Sequence, residues 1–467
     1  MPQLGSNPRL YPGIDQKCIS DTQCPVSNQI YFGEPIKKNR KTNDLTIQEI
    51  EYFRTIEDIF MKRCRQFGYN EIRTGTIQPL HIYTALGVLS PDRLRRMYSF
   101  LDWDGWSGER VVLKPDSSPS VVRFYADHLF ESQEIQKLCY VENHFEWSDS
   151  GENISERWQC GLENIGDPSA MADIEIIFMA QDILEELGFG KRHIFLSYPT
   201  IIQHIVQTLI FGKDQQVQLL NDIKKQRFDQ VNNILANIDK GSILTKLLEI
   251  KGNTVSYLKN IFQLLKGPEF QSITEDMQRF LAVSENLDKM KCAYTVDFSL
   301  IGDLDYYTGV QFQIFSGASR KSKSDILCAG GRYDQLALEM FKLQNIHSDE
   351  RNNKPIPAIG FALYAKNIIR HLQINRQSQD TLPPHVVIFL GQLAPESLKI
   401  GQLLCDIMDD MGFSAALTFK PVAKDDYTRY GAVIAVDHER FSGGYHFLYE
   451  QSINKHIMNY ILGDINE

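Results

Sequence analysis

Apolar residues recur at helical spacing from Thr46 to Phe67, where Ile47, Ile50, Phe53, Ile56, Ile59 and Phe60 share one side of the turn. The spacing predicts a long first helix, stopped by Gly68. Strand-like pieces then follow at Tyr69–Thr74, Arg110–Leu113, Lys137–Asn143 and Arg157–Asn164, and Ala170–Gly188 returns to a helical period. From about 201 to 288 the strand signals vanish. Patterns rich in Leu, Ile, Gln and Lys, such as Gln215–Leu235 and Ile243–Leu265, predict an all-α insertion there. Strands resume at Ala293–Ile301, Gly309–Phe315 and Ile326–Ala329, and a helix over Phe361–Leu372 is expected to close a domain spanning 46–372.

A polar stretch from Gln373 to the Pro383-Pro384 pair reads as a linker. After it, strands at Val386–Leu390, Ser414–Phe419 and Ala432–Val436 alternate with helices at Pro395–Met411 and from near Ser452. That alternation predicts a small C-terminal α/β domain, 385–467, with a largely parallel sheet. Residues 1–45 are rich in Pro, Asn and Gly and read as an irregular arm; the basic run 37–41 within it is best taken as a solvated tail.

Composition narrows the class. The 467 residues are 43% hydrophobic and 23% charged, ordinary values for a globular protein with room for two or three domains. Charges interrupt each apolar run before it could span a bilayer, and Met1 to Asn28 lacks the apolar stretch of a secretory signal, so the cytosol is the expected compartment. Eight cysteines over this length form neither a disulfide framework nor zinc-site spacing, so no metal is expected. The net charge of −10 argues against nucleic acid as a partner. Residues 385–467 sharpen this, with six Lys/Arg against eleven Asp/Glu, a poor surface for phosphates.

Candidate chemistry sits in a few short segments. If Trp158-Gln159-Cys160-Gly161-Leu162-Glu163 is a strand, alternation puts Gln159, Gly161 and Glu163 on one face: an amide, a gap and a carboxylate. That face suits an ammonium or imidazole N–H, with glycine permitting close approach. In Asp305-Tyr306-Tyr307-Thr308-Gly309, alternation would let one of the two phenols face a pocket fully. Gly330-Gly331-Arg332-Tyr333 joins flexible backbone to a cation and a ring. Asp116, in Leu113-Lys114-Pro115-Asp116-Ser117-Ser118, is either a second carboxylate for a ligand or a helix N-cap.

Their joint order carries more than any one of them. LKPDSSPSVVR, LCYVENHFE, WQCGLENIGD, DYYTG, GGRYD and AIGFAL follow one another as in the core of histidyl-tRNA synthetase, which the chain resembles over roughly 50–200 and 290–372. The resemblance implies an α+β fold of class II aminoacyl-tRNA synthetase type: a mostly antiparallel sheet flanked by helices, carrying the α-helical insertion, and dimeric. It also implies that the tail is a shortened form of that family's anticodon-binding-like α/β domain. On the resemblance, histidine would sit against Asp116, Gln159, Glu163, Tyr306, Tyr307 and Tyr333.

Three positions depart from the active family. Where it places arginines on ATP, this chain has Glu146, Gly302 and Asn367. Opposite charges ~4 Å apart are worth roughly 4 kcal/mol at an effective dielectric of ~20, so glutamate for arginine beside a phosphate reverses a large term. A cleft that has shed its nucleotide cations is expected, unless Arg157 or Arg332 compensates. Retained ligand groups with lost ATP groups resemble the regulatory subunits of ATP phosphoribosyltransferase, non-catalytic paralogues that join a short-form catalytic subunit in the first step of histidine biosynthesis. That resemblance implies no catalytic residues and no cofactor. It also implies a homodimer inside a hetero-oligomer, with histidine feedback sensed by this chain. The alternatives are a divergent histidine–tRNA ligase, or a synthetase-like pseudoenzyme in another pathway.

Overall fold

The computed structural model describes residues 44–84, 91–103, 108–132, 134–147, 154–238, 240–301, 306–317, 325–343, 354–376, 386–391, 395–410, 413, 415–437 and 445–450. Most of the arm at 1–45, Gly302, most of the linker and the helix expected near Ser452 lie outside these residues.

The first helix runs Ile47–Gln66 behind a reciprocal cap. The Thr46 hydroxyl accepts from the Glu49 N–H at 3.3 Å, and the Glu49 carboxylate accepts from the Thr46 N–H at 2.9 Å. Its buried stripe is Tyr52, Phe53, Ile56, Phe60 and Cys64. Ile47 and Ile50, expected on that stripe, are exposed, because the first turn precedes the contact with the sheet.

Eight strands form the central sheet, in the spatial order 70–71, 136–147, 154–165, 358–364, 326–332, 311–316, 192–197, 294–296. Every neighbouring pair is antiparallel except the outermost pair at each edge, which is parallel. The sheet is therefore the mostly antiparallel one expected. Cys160 and Leu162 point to the helix-covered face and are fully buried, while Trp158 meets Phe53 edge-on at 5.4 Å between ring centres. The helix Ala170–Glu186 packs on the same face, and Arg63 of the first helix pairs with its Asp182 and Glu186 at 2.7 and 2.8 Å.

The expected helix over Phe361–Leu372 is corrected. Ala358–Tyr364 is a strand in the middle of the sheet, and the helix is Ala365–Arg376. The cavity-facing residues of this strand, Gly360, Ala362 and Tyr364, are small or aromatic and carry no charge, so no polar alternation marks it and its run merged with the helix that follows. The short strands Ile77–Pro79, Ser99–Trp103 and Arg192–Ser197 were not anticipated. The first two flank Gly108–Leu113 in a separate three-stranded sheet. Among the described residues the insertion is built of helices, from Pro199–Leu209 to Thr274–Lys289, with one isolated bridge from Gly252 to Val296.

In the tail, Val386–Leu390 pairs in parallel with Ala415–Thr418 and Ala432–Val436 over its own apolar core. A fourth strand, Tyr445–Glu450, joins antiparallel.

Candidate functional site

A cavity of about 800 Å³ opens at the middle of the central sheet, and Asp116, Gln159, Glu163, Tyr306, Tyr307 and Tyr333 all line it. Strand alternation in Ile154–Ile165 does present Gln159, Gly161 and Glu163 to one side. The gap at Gly161 is filled, however, by the protein itself. Tyr140 lies directly opposite it on the neighbouring strand, and a Cβ at 161 would fall inside the Tyr140 ring. Glycine here admits a tyrosine rather than a ligand.

That ring delivers its hydroxyl to Glu163. The Glu163 carboxylate accepts from the hydroxyls of Tyr333 at 2.5 Å, Ser118 at 2.7 Å and Tyr140 at 3.3 Å, while only 1% of the residue is exposed. Burial pushes its pKa up to about 7, against the pull of these donors. Gly360 permits the arrangement, since any side chain there would overlap the Glu163 carboxylate. Asp116 is the second carboxylate. Its Oδ1 accepts from the Ser118 N–H at 3.2 Å and its Oδ2 from the Tyr306 hydroxyl at 3.0 Å. Its sequence reading left two roles open; the N-cap of the helix Ser118–His128 is Ser117, so Asp116 is not the cap, and it lines the cavity. Burial raises its pKa, and the Arg93 guanidinium opposes that rise.

Tyr306 and Tyr307 both face the cavity, correcting the expectation that one would turn away. They lie in a turn before the strand Gln311–Ser316, so strand alternation does not govern them. The Tyr306 ring meets those of Tyr307 and Tyr333 at 5.1 and 5.7 Å. Burial holds all three phenols neutral, with pKa values well above the usual range. The site is thus two carboxylates walled by neutral rings and hydroxyls, an arrangement that takes a small cationic or zwitterionic ligand with a flat apolar part.

Glu146 lines the same cavity at the inner end of a cluster of cations. Arg96 lies 3.1 Å from its carboxylate, and Arg93 and Arg157 each lie 3.7 Å away. Lys224, Lys225 and Lys366 also line the cavity. The cleft is therefore not stripped of cations, as the three departures suggested. It contains them and sets a carboxylate of its own among three of them. Arg332 does not compensate, because it points through the sheet to Asp173. Asn367 donates from its side-chain amide to the Ile326 carbonyl at 2.7 Å and so supports the wall.

Beneath the cavity, a buried polar cluster went unnoticed in the sequence. Lys114, 1% exposed, pairs with Glu142 at 2.6 Å, and Glu142 also accepts from Thr74 and from the Ser117 hydroxyl at 2.5 Å. Because Ser117 spends its one proton on Glu142, it accepts from His144 Nε2 at 2.8 Å, which fixes the His144 tautomer. Burial pushes His144 down to about 3, so it is neutral. The alternation of Glu142, His144 and Glu146 on one strand was the signal that could have revealed it. Among the described residues, no group of His, Cys, Asp or Glu could hold a metal ion, and no helix is long and apolar enough to cross a membrane.

A family profile described as Histidyl-tRNA synthetase matches residues 41–368. An ATP phosphoribosyltransferase regulatory subunit of Dehalococcoides mccartyi is 31% identical over 407 residues, covering 86% of this chain and 92% of that one. A histidine–tRNA ligase of Methanocaldococcus jannaschii is 27% identical over 331 residues, covering 70% and 73%. Among solved structures, the ATP phosphoribosyltransferase regulatory subunit/histidyl-tRNA synthetase of Bacillus halodurans superposes with a TM-score of 0.66 at 19% identity, covering 86% and 99%. The histidyl-tRNA synthetase of Nostoc sp. PCC 7120 superposes at 0.62 with 17% identity, covering 87% and 90%. Both share the fold.

Proposed function

The chain belongs to the histidyl-tRNA synthetase family and, within it, to the ATP phosphoribosyltransferase regulatory subunits, and from that premise we propose that it is a histidine-sensing, non-catalytic subunit of that transferase. Free histidine is the ligand of the carboxylate cavity. Its α-ammonium and imidazole N–H groups meet Asp116 and Glu163, and its ring lies among Tyr306, Tyr307 and Tyr333. The observation that carries the reading is the contrast across one cleft. On one side Glu163 is clasped by three hydroxyls with no guanidinium among them. On the other, Glu146 occupies the space among Arg93, Arg96 and Arg157 where a nucleotide phosphate would need to sit.

The partner is a short-form ATP phosphoribosyltransferase catalytic subunit in the cytoplasm, and the assembly is a homodimer of this chain within a hetero-oligomer. Histidine bound more tightly in one quaternary arrangement shifts the assembly toward it, with a coupling of about 1–3 kcal/mol. Residues 46–372 act as the synthetase-like core and 385–467 as a domain apart. The direct test is reconstitution: the chain should co-purify with a short-form catalytic subunit, raise its turnover, and confer inhibition by histidine.

A second reading, a working histidine–tRNA ligase, draws on the guanidiniums that line the cleft. Their engagement by Glu146 weighs against it. Histidine-dependent ATP–pyrophosphate exchange separates the two, because a robust signal would leave the regulatory reading untenable.

A further inference from the structure

The wall that carries the three tyrosines is fastened from behind. Arg332 follows Gly331 and precedes Tyr333, both of which line the cavity, yet its own side chain passes to the opposite face of the sheet. There its Nε and Nη2 donate to Asp173 Oδ1 at 2.7 and 2.6 Å, and its Nη1 reaches Asp334 at 3.2 Å. Asp173 belongs to the helix Ala170–Glu186 and is fully buried. Its second oxygen, Oδ2, accepts from Arg279 Nε at 2.6 Å, and Arg279 Nη2 donates to the Ser169 carbonyl at 2.9 Å. Arg279 stands on Thr274–Lys289, the last helix of the insertion. One carboxylate thus joins the back of the ligand wall to the insertion.

The first helix of the insertion grips the same wall. The Thr200 hydroxyl, in Pro199–Leu209, donates to the Thr308 carbonyl at 2.7 Å. Thr308 follows Tyr306 and Tyr307 in sequence. Its N–H donates to the Arg332 carbonyl at 2.8 Å, and its side-chain oxygen accepts from the Asp334 N–H, also at 2.8 Å. The turn bearing two of the tyrosines therefore cannot shift without moving Arg332 or Thr200. Buried charged groups of this kind have discrete partners, not a continuum of positions, which makes the linkage stiff.

We propose that Asp173 and Arg279 are positioning residues for the ligand wall, and that through them the helical insertion registers whether the carboxylate cavity is occupied. The insertion is then the part of the chain whose order changes with the ligand, and so the part from which a partner reads it. The inference rests on histidine being that ligand.

The test uses the full chain, L-histidine as the probe, calorimetry for affinity, and hydrogen exchange across 274–289 for the response. In the wild-type chain, saturating histidine should slow exchange in that helix by at least about fivefold, the low end of allosteric coupling. Arg279→Gln, at a side chain 21% exposed, should still bind histidine within about tenfold of wild type but lose the slowing, and Arg279→Lys should recover part of it. A wild-type chain that binds histidine without any change in 274–289 overturns the linkage and leaves the ligand assignment standing. Full slowing in Arg279→Gln overturns it equally. Absence of histidine binding to the wild-type chain overturns the ligand assignment itself, and the linkage with it. Should Arg279→Gln fail to fold, the wild-type response and that of Arg279→Lys decide.

Discussion

The ring of Tyr140 occupies the space that a side chain at position 161 would need, and from there it places its hydroxyl 3.3 Å from Glu163. One glycine on one strand thereby admits one of the three donors that hold the Glu163 carboxylate.

Gly161→Ala should expel that ring. Overpacking of a filled site costs typically 1–3 kcal/mol, so a lower denaturation midpoint is expected, together with weaker histidine binding by calorimetry. Unchanged stability would mean that the strands separate easily and Tyr140 is not wedged.

Glu163→Ala should weaken histidine binding by about ten- to a hundredfold, the worth of one hydrogen bond to a charged group at about 1.5–3 kcal/mol. Affinity indistinguishable from wild type would place the ligand elsewhere.

The pH dependence of the unliganded chain has a definite sign. Glu163 ionises near 4.5 when unfolded and at about 7 when folded, so between these values the folded state holds the extra proton. Its contribution is fully present below 4.5 and is lost as pH rises through 7, at about 1.4 kcal/mol per unit or roughly 3 kcal/mol in all. Glu163→Gln should flatten that part of the stability–pH curve. A cationic ligand reverses the preference, so histidine binding near pH 6.5 should release a proton from Glu163, seen as a buffer-dependent enthalpy that Glu163→Gln removes.

Glu146→Ala would leave Arg93, Arg96 and Arg157 facing one another. A modest fall in melting temperature is expected, along with at least about tenfold tighter binding of inorganic tripolyphosphate, since the lost attraction at 3.1–3.7 Å is worth several kcal/mol before screening. Equal tripolyphosphate affinity in both proteins would remove Glu146 from its blocking role.

Asp173→Asn strips the charge that the buried Arg332 and the half-buried Arg279 share. Breaking one partner of such a pair typically costs 3–5 kcal/mol, and urea denaturation should show it.

The sequence reading succeeded where order and period were strong. Six residues drawn from four separated segments line one cavity, because the succession of motifs was specific even though each was modest. The alternation of Gln159, Gly161 and Glu163 held because that strand is covered by helices on one face only. The strand Ala358–Tyr364 was illegible because its cavity-facing positions, Gly360, Ala362 and Tyr364, are not charged and give no polar alternation, and the two tyrosines misled because a turn does not alternate. The cation cluster was missed for another reason. Arg157, beside the Trp158 motif, was legible as a possible compensating cation, whereas Arg93 and Arg96 come from a segment with no motif of its own, and only folding brings them to Glu146.

Glu146 has one more consequence. A cluster of guanidiniums ordinarily draws its counter-charge from dissolved anions, and its occupancy then follows the ionic strength of the surroundings. Here part of the counter-charge is built into the chain, one carboxylate held among three guanidiniums at distances the fold sets. The cleft consequently draws less on dissolved anions than the same three guanidiniums would without Glu146, and its charge balance changes less steeply with salt.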